Sequence, residues 1–151
     1  MDKKTEIQNL ITSRRLSSDN EYNMFERALR ELQGNLEVED FGDVCGAFFD
    51  ETHDDEVMFG LIHLIEGLRG VEYLREIAMC TPKMRDAHEW AMTLNKRIIN
   101  SQEFFKMYIS VIDSLDVDSK RKILELLNDV KDDNPKRFAE KIDYLNNSVM
   151  R

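Results

Sequence analysis

Asp54-Asp55-Glu56-Val57-Met58-Phe59-Gly60-Leu61-Ile62-His63-Leu64-Ile65-Glu66-Gly67-Leu68 carries the clearest periodicity in the chain. Val57, Met58, Leu61, Ile62, Ile65 and Leu68 recur at intervals that place them on one broad face of a helix. Asp54, Asp55 and Glu56 open the run, where carboxylates complement the positive end of a helix dipole. The spacing therefore predicts an amphipathic helix over 54–68, and nothing in it alternates with the two-residue period of a strand.

The same pattern extends in both directions. Upstream, Ile7, Leu10 and Ile11 form one short stripe, and Tyr22, Phe25, Leu29 and Leu32 the next. Ser18 is placed as the N-cap of that second helix, with Glu21 completing a capping box and Gly34 as a stop. Leu36 to Phe49 is less regular but helix-like, through Val38, Phe41, Val44, Cys45 and Phe48. Downstream come Val71, Leu74, Ile77 and Ala78 after Gly70. Thr81-Pro82 then reads as N-cap and first helical residue of a stripe through Met84, Ala87, Ala91, Leu94 and Ile98. Ser101 caps a helix holding Phe104, Phe105, Tyr108, Ile112 and Leu115. Ile123, Leu127 and Val130 mark another, and Asn134-Pro135 starts the last, with Phe138, Ile142, Leu145 and Val149. The expected fold class is all-α: eight to nine short antiparallel helices in a HEAT-like hairpin stack. No repeat of fixed period accompanies it, so a helical bundle is the alternative. No linker interrupts the chain, and residues 1–151 are expected to form one domain.

Composition agrees. The 151 residues are 42% hydrophobic and 34% charged, with only two prolines and six glycines, too few turn formers for an all-β chain. A net charge of −9 speaks against wrapping nucleic acid, whose phosphates select basic surfaces. No apolar run approaches the roughly 20 residues of a membrane span, and Met1-Asp2-Lys3-Lys4 opens a polar segment. A cytosolic protein is expected. Cys45 and Cys80 then read as buried thiols outside any disulfide or zinc motif.

The acidity is local. Glu31, Glu37, Glu39, Asp40, Asp43, Asp50, Glu51, Asp54, Asp55, Glu56 and Glu66 lie in a window from Glu31 to Leu68 that holds no Lys or Arg. Its charge is −11, whereas the remaining residues sum to +2. Such a run is commonly a solvated face. Self-repulsion makes an unbalanced one costly, however, and a surface of this sign attracts a basic partner. The segment 50–56 offers oxygen ligands and His53, but it lacks the alternating acids and central glycine of a calcium loop.

On the helix at 54–68, Glu56, Phe59, His63 and Glu66 share an arc opposite the apolar stripe, with Gly60 and Gly67 beside it. One reading is a helix packed on both sides, with close approach at the glycines and a half-buried, hydrogen-bonded His63. The other is a concave surface gripping a partner through an aromatic flanked by acids. Trp90, the single Trp, reads as a core anchor. No phosphate loop, Ser/His/Asp set or HExxH motif is present, and no cofactor is expected.

The stretch from Phe49 through Asp50-Glu51-Thr52-His53-Asp54-Asp55-Glu56 to Glu66 resembles the immunity protein 30 family of bacterial polymorphic toxin and contact-dependent inhibition systems. Glu89-Trp90-Ala91, Leu94 to Ser101 with Ile98 and Ile99, and Asp132-Asp133-Asn134-Pro135 fit the same pattern. The resemblance runs from about Phe25 to Leu145. It implies an all-α cytosolic protein without enzymatic activity that binds and neutralises one cognate toxin C-terminal domain. Many such toxins are nucleases, whose phosphate-holding sites are basic. The expected contact residues are Glu37, Glu39, Asp40, Asp43, Asp50, Glu51, Asp54, Asp55 and Glu56, with Phe59 and His63. Two other readings share parts of the pattern. One is an acidic adaptor or DNA mimic bound to another basic protein. The other is a metal-dependent enzyme using Asp50, His53, Asp54 and Glu66. No exposed apolar stripe in the sequence demands an oligomer.

Overall fold

The computed structural model describes residues 1–150. Its α-helices are α1 (Lys3–Ser13), α2 (Asp19–Leu32), α3 (Phe41–Val44), α4 (Asp55–Ile65), α5 (Val71–Cys80), α6 (His88–Ile99), α7 (Gln102–Asp113), α8 (Val117–Asp133) and α9 (Pro135–Val149). Among the described residues there is no strand, and the fold is all-α. Ser101 Oγ accepts from Phe104 N at 3.2 Å, and Asn134 Oδ1 from Arg137 N at 3.3 Å, so α7 and α9 start where their caps predict. Ser18 caps α2 as expected. Glu21, however, reaches back one residue further than a capping box requires and accepts from both the N–H and the hydroxyl of Ser17. Those bonds, the hydroxyl's first, hold its carboxyl below the usual range.

Three segments depart from the sequence pattern. α4 stops at Ile65, short of the expected Leu68. Thr81-Pro82 does not start α6. It forms a 3₁₀ turn, Thr81–Lys83, that continues from α5, and α6 begins at His88. Leu36–Phe49 is not one helix but two 3₁₀ turns flanking the four residues of α3. Here Arg14 at the end of α1 donates from Nη1 to Gly46 O at 3.0 Å and Phe48 O at 3.5 Å. A side chain thus takes carbonyls that a continuing helix would have used. Smaller corrections concern Tyr22 and Val71, assigned to apolar stripes but 43% and 47% exposed. Cys80 is half-buried, not buried; neither cysteine forms a disulfide.

The chain divides into two compact units, Met1–Arg69 and Gly70–Arg151. In the first, α1 packs on α2, and α2 on α4. Phe25, Phe41, Phe48, Met58, Leu61, Ile62 and Ile65 are enclosed there. Each such side chain contributes about 1.5–3 kcal/mol by leaving water. The reversal after α1 passes through Leu16, whose φ of 52° lies in the left-handed region. Burial of its side chain holds it there against a cost of about 1–2 kcal/mol. The Arg14 guanidinium also sits 4.4 Å over the Phe49 ring. Arg14→Ala is expected to destabilise the protein by about 1–3 kcal/mol, read as a lower urea midpoint, because two carbonyls and an aromatic face lose their partner.

In the second unit α5 packs on α7, α6 on α7 and α8, and α9 on α7 and α8. Its centre is polar. Asn95 of α6, wholly buried, donates to Thr81 Oγ1 at 3.1 Å and to Ala91 O at 2.9 Å, and accepts the Tyr108 hydroxyl of α7. Thr81 in turn donates to Ile77 O at 2.6 Å. Trp90 is buried beside Ala91 in α6, the core placement expected of it.

Candidate functional site

Residues 1–69 hold seven basic and sixteen acidic residues, and residues 70–151 fourteen of each. The whole net charge of −9 therefore belongs to the first unit. Within it the structure sorts the eleven acids of the Lys/Arg-free window into those bound into the scaffold and those presented to solvent.

Asp40 belongs to the scaffold. Its Oδ2 accepts from Glu37 N at 2.8 Å and meets Lys3 Nζ at 2.9 Å. Partial burial works to raise its carboxyl, but the Glu37 N–H and the Lys3 ammonium outweigh it and the net shift is downward. The same hydrogen bond to Asp40 raises Lys3. Glu39 is raised, first by a hydrogen bond shared with Glu37 and then by the charge of that carboxylate. Two like charges thus face each other at the edge of the patch.

Asp54 is also structural: its Oδ1 accepts from Val57 N at 3.0 Å and caps α4. Asp54→Ala is expected to lower stability by about 1 kcal/mol, whereas Asp54→Asn keeps a cap and stays within about 0.5 kcal/mol in the same urea titration. The loop before α4 is pinned to the end of α1, since His53 N and Thr52 Oγ1 both donate to Arg15 O, at 2.8 and 3.4 Å. Arg15 lies 5.4 Å from the Phe49 ring centroid. The window that lacks bases in sequence therefore has Lys3, Arg14 and Arg15 folded against it by α1.

Glu37, Glu39, Asp43, Glu51, Asp55 and Glu56 are exposed, and Asp50 is half-buried. Of the α4 arc, Glu56 and His63 are exposed and Phe59 and Glu66 half-buried. The His63 ring meets Phe59 edge-on, with centroids 5.1 Å apart. The concavity beside this arc is a groove of about 340 Å³. Gly60, His63 and Leu64 form its α4 wall, while Glu26, Leu29, Arg30 and Gln33 of the α2 region form the other. A Cβ on Gly60 would stand 3.0 Å from Leu29 Cδ1, so the glycine permits the close approach expected of it. Gly67 makes no such approach: a Cβ there meets only the carbonyl of Leu64, in its own turn. The α2 wall escaped the sequence reading, because Glu26, Arg30 and Gln33 look like an ordinary solvated helix face until α4 packs beside them.

Among the described residues no three His, Cys, Asp or Glu side chains are grouped to hold a metal ion, so Asp50, His53, Asp54 and Glu66 are not brought together as a ligand set. No described helix is long and apolar enough to cross a membrane. Comparison with curated proteins and with solved structures gave no match. The family described as immunity protein 30 matches residues 12–108, from within α1 to within α7. That span takes in the acidic window, the α4 run and Trp90, and leaves Asp132-Asp133-Asn134-Pro135 outside. With well over half of its length matched, the chain belongs to the immunity protein 30 family.

Proposed function

We propose that this immunity protein neutralises a cognate toxin domain by stoichiometric binding, through the acidic surface of residues 1–69. The observation that supports it most is the confinement of the net charge to that unit, with Glu37, Glu39, Asp43, Glu51, Asp55 and Glu56 all exposed on it. The toxin surface that fits is basic. A nuclease site is the foremost instance, since it must hold phosphates and is blocked when carboxylates occupy them. Asp40 and Asp54 add to the field while serving as caps. Phe59 and His63 supply an apolar contact beside the charges, where desolvation makes each contact count for more. Carboxylate pairing also accelerates encounter, toward about 10⁸–10⁹ M⁻¹s⁻¹ at low salt. The action is inhibition by occupancy, without catalysis, in the cytoplasm where the toxin acts.

The test is co-expression with the toxin domain encoded beside the gene. The expected outcome is survival of the cells and a one-to-one complex that co-purifies. Cell death with no complex overturns the assignment to that toxin.

A further inference from the structure

α2 and α4 run side by side in the same direction. His53 N and Thr52 Oγ1, just before α4, donate to Arg15 O, in the turn before α2, at 2.8 and 3.4 Å. At the other end, Gln33 and Gly34 after α2 and Gly67 after α4 line the groove of about 340 Å³ between the two helices. Both helices therefore bring their C-termini, the negative ends of their dipoles, to one end of the groove. The two glycines there are exposed, and a Cβ at Gly34 would meet nothing within 4 Å, so little covers the backbone. One carbonyl at this end has no helical donor. Gly67 N bonds to Leu64 O at 3.3 Å and Glu66 N to Ile62 O at 2.9 Å, which leaves His63 O between them without one.

Glu26 is the carboxylate of this groove. It is half-buried in the α2 wall, and among the described residues its side chain has no hydrogen bond or ion pair. Arg30, one turn on, stands exposed on the rim and does not pair with it, although Glu and Arg four apart on a helix commonly do. Glu56, exposed four residues before Gly60 on the same face of α4, offsets the charge of Arg30. What remains is Glu26 and two helix C-termini of about half a charge each. The groove is thus negative, and it lies in the unit that holds the whole −9. Between the polar groups are Leu29, Leu64 and the bare backbone of Gly60, a floor for a methylene stem.

We propose that the α2–α4 groove takes one arginine side chain from the basic surface of the toxin. The guanidinium donates to the Glu26 carboxylate and to His63 O, and its stem lies over Leu29, Gly60 and Leu64. Arginine suits the place better than lysine, because its planar fork presents donors to a carboxylate and a carbonyl at once. About 340 Å³ is room for a single long side chain, at the low end of small-ligand sites. The inference rests on the toxin-binding reading and adds to it an anchor on α2 that the reading itself does not use.

Dissociation of the complex with the toxin domain tests it. Glu26→Gln is set against Glu31→Gln, which removes the same charge from an exposed position of α2 outside the groove. Glu26→Gln is expected to raise the dissociation rate about 10- to 100-fold, because it breaks a desolvated charge pair, and Glu31→Gln to leave it within about twofold. The Glu26 side chain bonds nothing in the free protein, so the urea midpoint of Glu26→Gln should match that of the parent. Each toxin arginine is then replaced by Ala against the parent and against Glu26→Gln. One of them should lose most of its effect on dissociation in the Glu26→Gln background. A complex that forms but dissociates alike with Glu26→Gln and Glu31→Gln, or in which no arginine couples to Glu26, overturns this inference and leaves the toxin-binding reading standing. Failure of the parent to form any complex overturns that reading, and this inference with it.

Discussion

Asn95→Ala is expected to be the most damaging single substitution in the protein, at about 3 kcal/mol. The reason is the closure of the network around it. Asn95 satisfies the Tyr108 hydroxyl, Thr81 Oγ1 and Ala91 O, and Asn95, Thr81 and Tyr108 are all essentially inaccessible to water. Removing the amide leaves the Tyr108 O–H without an acceptor in a place no solvent reaches, and adds a small cavity. Against a total stability of about 5–15 kcal/mol this is a large fraction. Urea titration followed by fluorescence reads it directly, because Trp90 is the only Trp and lies on the same helix.

Tyr108→Phe should cost less, about 1–2 kcal/mol, since it orphans only Asn95 Oδ1. Combining Asn95→Leu with Tyr108→Phe is expected to be milder than Asn95→Leu alone, because neither partner is then left wanting. Simple additivity in that cycle would show that the two groups do not act together. Burial, with a smaller effect of Tyr73, keeps the Tyr108 hydroxyl protonated well above its ordinary value of 10. The sign follows from the raised value. The network's contribution is complete below about pH 10, where an unfolded tyrosine is also neutral, and is lost as the pH rises further. Urea midpoints should therefore fall above pH 10, and fall less steeply in Tyr108→Phe.

Reversing Glu51, Asp55 and Glu56 to Lys together is expected to slow association with the toxin domain by one to two orders of magnitude at low salt. The three are exposed and Asp54 keeps the α4 cap, so the fold should be retained, with a loss of about 1 kcal/mol where Lys at Asp55 and Glu56 opposes the α4 dipole. The rates of parent and variant should converge as salt is added, because screening removes the steering that the substitutions reverse. Asp54 is left out of this set for a structural reason. Reversing it would also remove the α4 cap, and a weakened helix would then be mistaken for a weakened interface. Stopped-flow mixing provides the rate, and an association rate indifferent to all three reversals would place the contact elsewhere.

The helices and several of their ends were legible because they depend on neighbours within one or two turns. Ser101 and Asn134 cap the residues that follow them, and the stripe through Met58, Leu61, Ile62 and Ile65 is buried as its spacing predicts. Thr81 shows the limit. Its place before Pro82 has the form of a helix start, yet its hydroxyl is engaged by Ile77 O and by Asn95, fourteen residues away. Leu36–Phe49 has helical spacing, but Arg14 intercepts its carbonyls from more than thirty residues off. Glu26 and Arg30 have nothing in their spacing to mark them as one wall of a groove.

Charge divides along the same line. The number of acids, their crowding between Glu31 and Leu68 and the neutrality of residues 70–151 are properties of the chain as written, since formal charge is a count. The all-α class belongs with them, because an amphipathic period of three to four residues is local. Tertiary packing alone assigned the acids their tasks. It spent Asp40 on Lys3 and Asp54 on α4, folded Arg14 and Arg15, just after α1, against the acidic loop, and left Glu51, Asp55 and Glu56 in water. A carboxylate's role depends on which donors lie within about 3 Å of it, and those donors come from elsewhere in the chain.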